Sequence, residues 1–446
     1  MKPLVPHFAL AALGLAITSL RAASPPDQPL PDTLDLKSAV VFALENNFTI
    51  RQARERIRQQ EGVEIQVRAR QIPNVSASGS YSRNTREIST YAPPDNDRAW
   101  VISLQARQVL YAGGGVSASV KGAQLTRDAA VLELQGIINQ QLLAVRTQFD
   151  TVLLAREKIK VQEENVKLFE QQLKDARSRF DAGTTSNFEV LRAEVALANG
   201  QPPLIQARND YRIAIEQLRQ VLGFVTNYSS NATKTPEISG TLEVGQPANY
   251  QLADALAAAH ANRPELQRLA RLEDAGEQNI QVYRAGYLPE VDAVGSYAWV
   301  RGATLAGWGS RLDGWTAGVQ AQWSIFDGRA TAGRVVQARS QLEQTKLSLA
   351  EATLAVEVQV RQAYSSLVEA WELVQASSKT VEQAQEALRL ANVRYGAGTA
   401  TQLDVLTSQV ALTEARLNQL QAYYGYNVAL AAMRQAIGQA DEFVSS

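Results

Sequence analysis

The segment RFDAGTTSNFEVLRAEVAL at residues 179–197 returns as RYGAGTATQLDVLTSQVAL at residues 394–412. Extended to Arg179–Gly223 and Arg394–Gly438, the two copies align without a gap at an offset of 215, with 16 of 45 positions identical. A constant offset over that length marks an internal duplication, and the rest of the chain can be read outward from it. Leu36, Ala39, Ala43 and Asn46 correspond to Leu252, Ala255, Ala259 and Asn262. Pro73-Asn74-Val75 through Gly79-Ser80-Tyr81 correspond to Pro289-Glu290-Val291 through Gly295-Ser296-Tyr297, and Trp100 through Tyr111 to Trp315 through Phe326. The expected organisation is a first repeat at 24–223, a linker rich in Thr, Ser, Asn, Gly and Pro at 224–251, a second repeat at 252–438 and a short tail at 439–446.

Each copy has the same expected order of elements. A short helix (36–46, 252–261) ends at Asn, and a second (48–71, 264–287) stops at Pro73 or Pro289, because proline cannot continue a helix. Pro264 sits in a first turn, where its missing N–H costs nothing. Two alternating segments follow. Trp315, Ala317, Val319, Ala321, Trp323 and Ile325 alternate with Thr316, Gly318, Gln320, Gln322 and Ser324, and Trp100, Ile102, Leu104 and Ala106 alternate with Val101, Ser103, Gln105 and Arg107. Period-two alternation predicts strands with one apolar face, at about 75–83, 100–111, 291–301 and 314–326. Each is near the ~9–11 residues of a membrane-spanning strand. An ordinary soluble hairpin packed on helices would show the same alternation. Five of the six tryptophans lie between 100 and 323, however, and Tyr81, Trp100, Tyr297, Trp299, Trp315 and Trp323 are candidates for the interfacial aromatic girdles of a membrane barrel.

Helical hairpins are expected at 115–222 and 330–437. Their first helices contain no proline and run some 65 residues, roughly 100 Å at ~1.5 Å per residue. Such a length implies a coiled coil or a helical tube. Leu142, Val145, Phe149, Val152, Ile159, Val166, Leu173 and Phe180 form a seam that Arg156, Glu163 and Glu170 interrupt. A narrow, interrupted seam suits a wall with neighbours on two sides and water elsewhere. Gly183 followed by Thr184, and Gly398 followed by Thr399, read as left-handed helix terminators leading into a new helix. Asn199-Gly200-Gln201-Pro202-Pro203 is expected to break the first return helix, whereas Glu414–Asn418 continues the second.

Composition removes other function classes. Forty-four Lys+Arg against 45 Asp+Glu leave a net charge of -1, which offers no footprint for nucleic acid. Cysteine is absent, so disulfides, thiolate metal sites and a Cys nucleophile are excluded. Histidine occurs only at His7 and His260, and no metal, cofactor or enzyme activity is expected. Gly113-Gly114-Gly115 with Lys121 lacks the Gly-Lys-Ser/Thr of a phosphate loop and reads as a turn. Lys2, the apolar run Phe8–Leu20 and Ala22-Ala23 have the form of a secretory signal, assigned to residues 1–23.

Four membrane strands per chain cannot close a barrel, since barrels begin at eight, and open strand edges in lipid are forbidden. The chain must therefore oligomerise. The doubled segment quoted above, the helix start Asn262–Leu266, the strand entry Leu288-Pro289 and the strand exit Phe326-Asp327-Gly328 resemble the TolC-like outer membrane efflux family, over nearly the whole mature chain. The resemblance implies an α+β membrane protein: a homotrimer with a twelve-stranded outer-membrane β-barrel, four strands per chain, continued by a long periplasmic α-helical barrel. It implies an exit duct for efflux or type I secretion in the outer membrane of a Gram-negative-type bacterium. Its implied partners are outer-membrane lipid, a periplasmic adaptor, and an inner-membrane pump of the RND, MFS or ABC class. It places a pore constriction or gate at Asp404, Glu189, Tyr395 and Thr407, with Thr407 and Ala400 standing where a second acid and an Arg occur in the family. It also implies a Tyr395–Glu189 gate contact and adaptor contact at Gly183, Thr184, Gly398 and Thr399. A coiled-coil scaffold or adaptor without a pore is the competing expectation. The competing reading of Asp404 and Glu189 is as first-turn acids that complement helix dipoles.

Overall fold

The computed structural model describes residues 33–83, 98–224, 236–301, 311–439 and 443. The expected signal at 1–23 lies outside the described residues, as do linker residues 225–235 and most of the tail. In chain order the elements are β1 (Thr33–Leu34), α1 (Leu36–Asn46), α2 (Phe48–Arg68), β2 (Asn74–Arg83), β3 (Arg98–Ala112), α3 (Gly115–Asp181) and α4 (Asn187–Leu222). They continue as β4 (Glu237–Ile238), α5 (Leu252–Asn262), α6 (Pro264–Arg284), β5 (Glu290–Arg301), β6 (Arg311–Gln322), α7 (Ala330–Gly396) and α8 (Gln402–Ala436). Helices α3 and α7 each hold 67 residues, which at ~1.5 Å per residue is about 100 Å.

The long helices form the frame. Toward the strands, α2 packs on α3, and α6 lies between α3 and α7. Toward the opposite end, α4 packs on α3, and α8 lies between α3 and α7. The short helices therefore stack end to end: α4 under α2, and α8 under α6. The joints are tight. Gly223 has φ 77, and a Cβ there would stand 2.5 Å from the carbonyl oxygen of Asn46. Gly438 meets the backbone of Asn262 and Arg263 in the same way. Only glycine allows both the left-handed turn and this approach.

Each joint carries one buried polar side chain. Asn47 accepts from the Thr49 and Ile50 N–H groups at 2.9 and 3.2 Å, capping α2, while its amide donates to the Val221 carbonyl at 2.7 Å. In the other joint Arg263 donates to the Gln435 carbonyl at 3.0 Å and to Gln359. Core clusters flank both joints, one around Val145, Phe149, Val152, Leu218 and Leu222, the other around Val360, Leu367, Tyr426 and Met433. The parallel pair β1–β4 closes over the first cluster, where Arg156 donates to the Ile238 and Gly240 carbonyls at 2.6 Å. Arg156 thus fastens the linker onto α3, and the apparent break in the helix seam is an anchor. Phe180, expected on that seam, is 43% exposed.

Strands β2, β3, β5 and β6 form one antiparallel sheet in that order. The register sorts side chains by face. Val75↔Ala106, Ala77↔Leu104 and Tyr81↔Trp100 share one face with Leu104↔Tyr297, Ile102↔Trp299, Tyr297↔Trp315 and Ala293↔Val319. The opposite face carries Ser76, Ser78, Ser80 and Ser82, then Ser103, Gln105 and Arg107, then Asp292 and Ser296, then Thr316, Gln320 and Gln322. Its polar groups pair with one another, as in Ser78 with Ser103 at 2.8 Å and Arg107 Nε to Asp292 at 3.0 Å. The apolar face is bare in the single chain: Val75, Trp315 and Val319 are 61%, 76% and 68% exposed.

Two expectations need correction. Strand β6 stops at Gln322, short of 326, because its partner β5 begins at Glu290 behind Pro289, and Glu290↔Gln322 is the last rung. Trp323 therefore lies just beyond the strand, where its indole donates to the Tyr287 carbonyl at 3.0 Å. Helix α4 runs unbroken through Pro202 and Pro203. The prolines free the carbonyls four residues earlier, on Ala198 and Asn199. Those positions are exposed, so water can satisfy them, while Gly200 holds the buried side of the turn against the Phe169 ring.

Candidate functional site

Both hairpins turn by the same device. The Thr184 N–H donates to the Arg179 carbonyl and the Gly183 N–H to Phe180, each at 2.9 Å; Thr399 and Gly398 repeat this with Arg394 at 2.9 Å and Tyr395 at 3.1 Å. This double closure is a Schellman motif. Gly183 and Gly398 have φ of 71 and 75, and a Cβ on either would meet nothing within 4 Å. Backbone conformation, not crowding, requires glycine here.

The helices that follow are capped differently. Ser186 precedes α4 without a side-chain cap bond. Thr401 caps α8 in a reciprocal box: its N–H and hydroxyl both donate to Asp404 Oδ2 at 2.8 Å, and the Asp404 N–H donates back to the hydroxyl at 3.3 Å. The Thr401 backbone N–H, then its hydroxyl, hold the Asp404 carboxyl below the ordinary carboxylate range. Asp404 is exposed all the same, as is Thr407 one turn further on.

The structure does not join Tyr395 to Glu189. The Arg179 guanidinium lies over the Tyr395 ring, 4.5 Å from its centroid, linking the ends of α3 and α7. Glu189 faces Arg192 at 3.5 Å. It also faces Gln402, whose amide, turned to satisfy both partners, donates to the Glu189 carbonyl at 3.2 Å and to its carboxylate. Gln402 is 4% exposed, although it opens a helix at the tip of the molecule. The Glu189–Gln402 and Arg179–Tyr395 contacts both cross from the first hairpin to the second.

More such contacts line the boundary between α3 and α8. Gln409 is 1% exposed. It accepts from Gln172, and its amide donates to the Asn165 carbonyl at 3.3 Å and side chain at 3.2 Å. Thr413 donates to the same Asn165 side chain at 3.1 Å, and Arg416 pairs with Glu164 at 2.6 Å. Sequence reasoning missed this seam, though a signal was present. Asn165, Gln172 and Arg179 fall seven apart on α3, and Gln402, Gln409 and Arg416 seven apart on α8. A seven-residue polar spacing places a polar stripe on the face that meets a partner helix.

Near the tips the core of each hairpin is apolar, with the pairs Arg177–Glu194 and Arg208–Glu163 at the exposed margin of the first. Leu173 and Ala176 meet Val190 and Ala193, and Val381 meets Leu412 and Ala415. Among the described residues no cluster of His, Cys, Asp and Glu could hold a metal, and no helix is long and apolar enough to cross a membrane.

Comparison with known proteins follows the same outline. The sequence profile described as "Outer membrane efflux protein" matches twice, at residues 40–224 and 255–439. The outer membrane efflux protein BepC of Brucella suis is 25% identical over 414 residues, covering 91% of this chain and 85% of its own. The protein CyaE of Bordetella pertussis is 26% identical over 399 residues, covering 89% and 82%. The crystal structure of the Campylobacter jejuni CmeC outer membrane channel superposes with a TM-score of 0.76 at 14% identity, over 92% of this chain and 88% of that one. That structural neighbour is a channel protein.

Proposed function

The chain belongs to the outer membrane efflux protein family, and on that premise we propose that it works as a homotrimeric exit duct gated at its helical tips. It is an outer-membrane protein with a periplasmic helical extension, and a pore-free periplasmic scaffold is not favoured. The observation that carries the reading is the four-stranded sheet: apolar on one face, polar on the other, with β2 and β6 as open edges. Unpaired edges cannot stand in lipid. The strands alternate in direction, so β6 of one copy meets β2 of the next antiparallel. Three copies close a twelve-stranded barrel with the apolar face toward lipid and the serine and glutamine face toward a water-filled lumen. The 12 residues of β5 span ~40 Å along the strand and, at the ~40° tilt of such barrels, about 30 Å of height. That is enough for a hydrocarbon layer.

The duct is passive, and transport is driven from the inner membrane. In this reading the turns at Gly183, Thr184, Gly398 and Thr399 meet a periplasmic adaptor, and an RND, MFS or ABC pump supplies cargo for efflux or type I secretion. Asp404, Thr407, Glu189 and Tyr395 lie at the periplasmic entrance. Three symmetry-related Asp404 carboxylates would form a cation-favouring ring. The hairpins hold together as units, and the polar α3–α8 seam is the boundary that parts when the entrance widens.

The test is conductance of purified trimers in planar bilayers, for wild type, Asp404→Ala and Gln409→Ala. Cation-selective openings are expected. Asp404→Ala should weaken the selectivity, and Gln409→Ala should raise the open probability several-fold. Selectivity unchanged in Asp404→Ala returns that residue to helix capping alone. Silence from all three trimers sinks the duct.

A further inference from the structure

We propose that a second heptad row on α4 zips each copy to α7 of the next copy, so that the periplasmic entrance parts inside each chain and not between chains. The inference deepens the duct reading and rests on it. Near the tips the chain lays its helices side by side in the order α4, α3, α8, α7. Helices α4 and α7 are therefore the flanks. Helix α4 carries two rows. Val190, Ala193, Gly200, Ala214 and Leu218 are buried against α3. Phe188, Leu191, Val195, Ala198, Pro202 and Ile205 advance in alternate steps of three and four, the spacing of a coiled-coil seam. The second row runs two residues ahead of the first. That offset is about 200° round the helix, so the second row points away from α3. Phe188, Leu191, Val195 and Ile205 are 61%, 56%, 53% and 64% exposed. The Phe188 ring carries the Arg192 guanidinium of its own helix, 4.6 Å from its centroid. Scattered exposed apolar residues are ordinary on a protein surface. An unbroken heptad row is the seam of a missing helix.

The other flank has a matching row. On α7, Leu367, Ala370, Val374 and Val381 are buried, and the last three pack with residues of α8. Two residues beyond each stand Glu369, Glu372, Ala376 and Gln383, all exposed, and the row runs on through Leu390 and Val393 to the tip. In a closed ring of copies α7 meets α4 of the next copy antiparallel, with the turns at one level. Distance from the turns then sets the register. At ~1.5 Å per residue, Val195 stands about 12 Å and Leu390 about 9 Å above the turns, and Leu191 and Val393 about 6 and 5 Å. Apolar side chains meet apolar side chains there. Further up the α4 row, Arg212 stands at about 38 Å, between Glu372 at about 36 Å and Glu369 at about 41 Å. Within its own helix Arg212 reaches Asn209 at 3.5 Å. An apolar row alone could slip by a heptad, and an Arg set between two acids fixes one register. At the level of Val195 the α3–α8 seam inside the chain is made of Gln409, Gln172 and Asn165. Amides re-form their bonds with water when a seam parts, and aliphatic side chains have no such replacement. The body that swings as the entrance widens is α7–α8 of one copy together with α3–α4 of the next.

The chain contains no cysteine, so engineered pairs report only the contact they test. A disulfide needs Cα atoms within about 7 Å. Detergent-purified Val195→Cys/Leu390→Cys, oxidised with copper phenanthroline, should run as covalent dimers and trimers on denaturing gels, and either single variant as monomer. Gln172→Cys/Gln409→Cys spans a contact within one chain and should stay monomeric. In planar bilayers the first lock should leave the open probability within about twofold of its reduced value. The second should lower it at least tenfold, reversibly on reduction. Arg212→Glu should cut the covalent yield of the first pair several-fold, and adding Glu369→Arg and Glu372→Arg should restore it. If Val195→Cys/Leu390→Cys fails to assemble, Leu191→Cys/Val393→Cys tests the same seam. Folded trimers that crosslink at neither pair overturn the zipper, and a charge reversal without rescue overturns its register. A first lock that silences the channel overturns parting inside the chain. Reduced trimers that crosslink as expected yet never conduct overturn the duct reading itself, a result separate from the others.

Discussion

Near the tips, the core of each helical hairpin and the boundary between the two hairpins are made of different chemistry; further toward the strands, Leu420, Tyr423 and Tyr424 of α8 pack on the apolar α3 cluster. Inside, Leu173, Ala176, Val190 and Ala193, or Val381, Leu412 and Ala415, pack as aliphatic knobs. Between, Gln409, Gln172, Asn165, Thr413 and Arg416 exchange hydrogen bonds. Apolar burial has no equivalent in water, so an apolar seam opens only at the full cost of exposing its surface. Polar groups re-form their bonds with water when a seam parts, and the net cost is about 1 kcal/mol per bond. The difference teaches where the molecule is built to stay together and where it is built to come apart.

The largest effect is expected where the apolar seam is broken. Leu412→Ala should cost about 3 kcal/mol, read as lost hydrogen-exchange protection across both α7 and α8 near the tip. Protection lost only in α8 would mean that the hairpin is not one unit. The next effect acts on the apolar region by pH. Burial pushes the Asp150 carboxyl up to about 6, against the pull of Arg146. A raised folded value means the fold favours the protonated acid. Its contribution is full below pH ~4 and is lost as pH rises through about 6, a change on the order of 2–3 kcal/mol. Thermal midpoints of wild-type trimers should therefore fall between about pH 4 and 6.5 and level off above, and Asp150→Asn should flatten that slope. An equal slope in the variant would place the titration elsewhere.

The polar seam should respond more weakly in stability and more strongly in opening. Gln409→Ala strands the side chains of Gln172 and Asn165, which costs about 1–2 kcal/mol. Exchange protection should fall at the α3–α8 boundary while the α7–α8 amides stay protected. Loss of protection in both would erase the distinction between seams. The smallest effect belongs to the Arg416–Glu164 pair, where the side chains are 30% and 61% exposed. Arg416→Gln should change stability by less than about 1 kcal/mol, and by less again in high salt. A larger, salt-insensitive loss would show that this pair carries packing as well as charge.

Much of the architecture was legible in the residues. The helix stops at Pro73 and Pro289, the left-handed turns at Gly183 and Gly398 and the alternation through Trp315–Gln322 are local instructions, and each produced its element. The failures have a common cause. Pro202-Pro203 read as a break because local geometry forbids two donors, yet exposure to water and the Gly200–Phe169 contact keep α4 whole. Tyr395 was expected with Glu189, but the tips bring it to Arg179. The two-residue strands of β1 and β4 carry no periodicity to detect, and only their meeting across some two hundred residues makes them strands.

The sequence by itself determined the elements and their order, because capping, turn conformation and side-chain period act within a few residues of chain. The tertiary structure alone decided which helices stack, which seam is polar and which side chains meet across it. Those facts depend on pairing residues that are tens to hundreds of positions apart. A side chain's own neighbourhood in sequence does not encode the partner that will satisfy its hydrogen bonds or its charge.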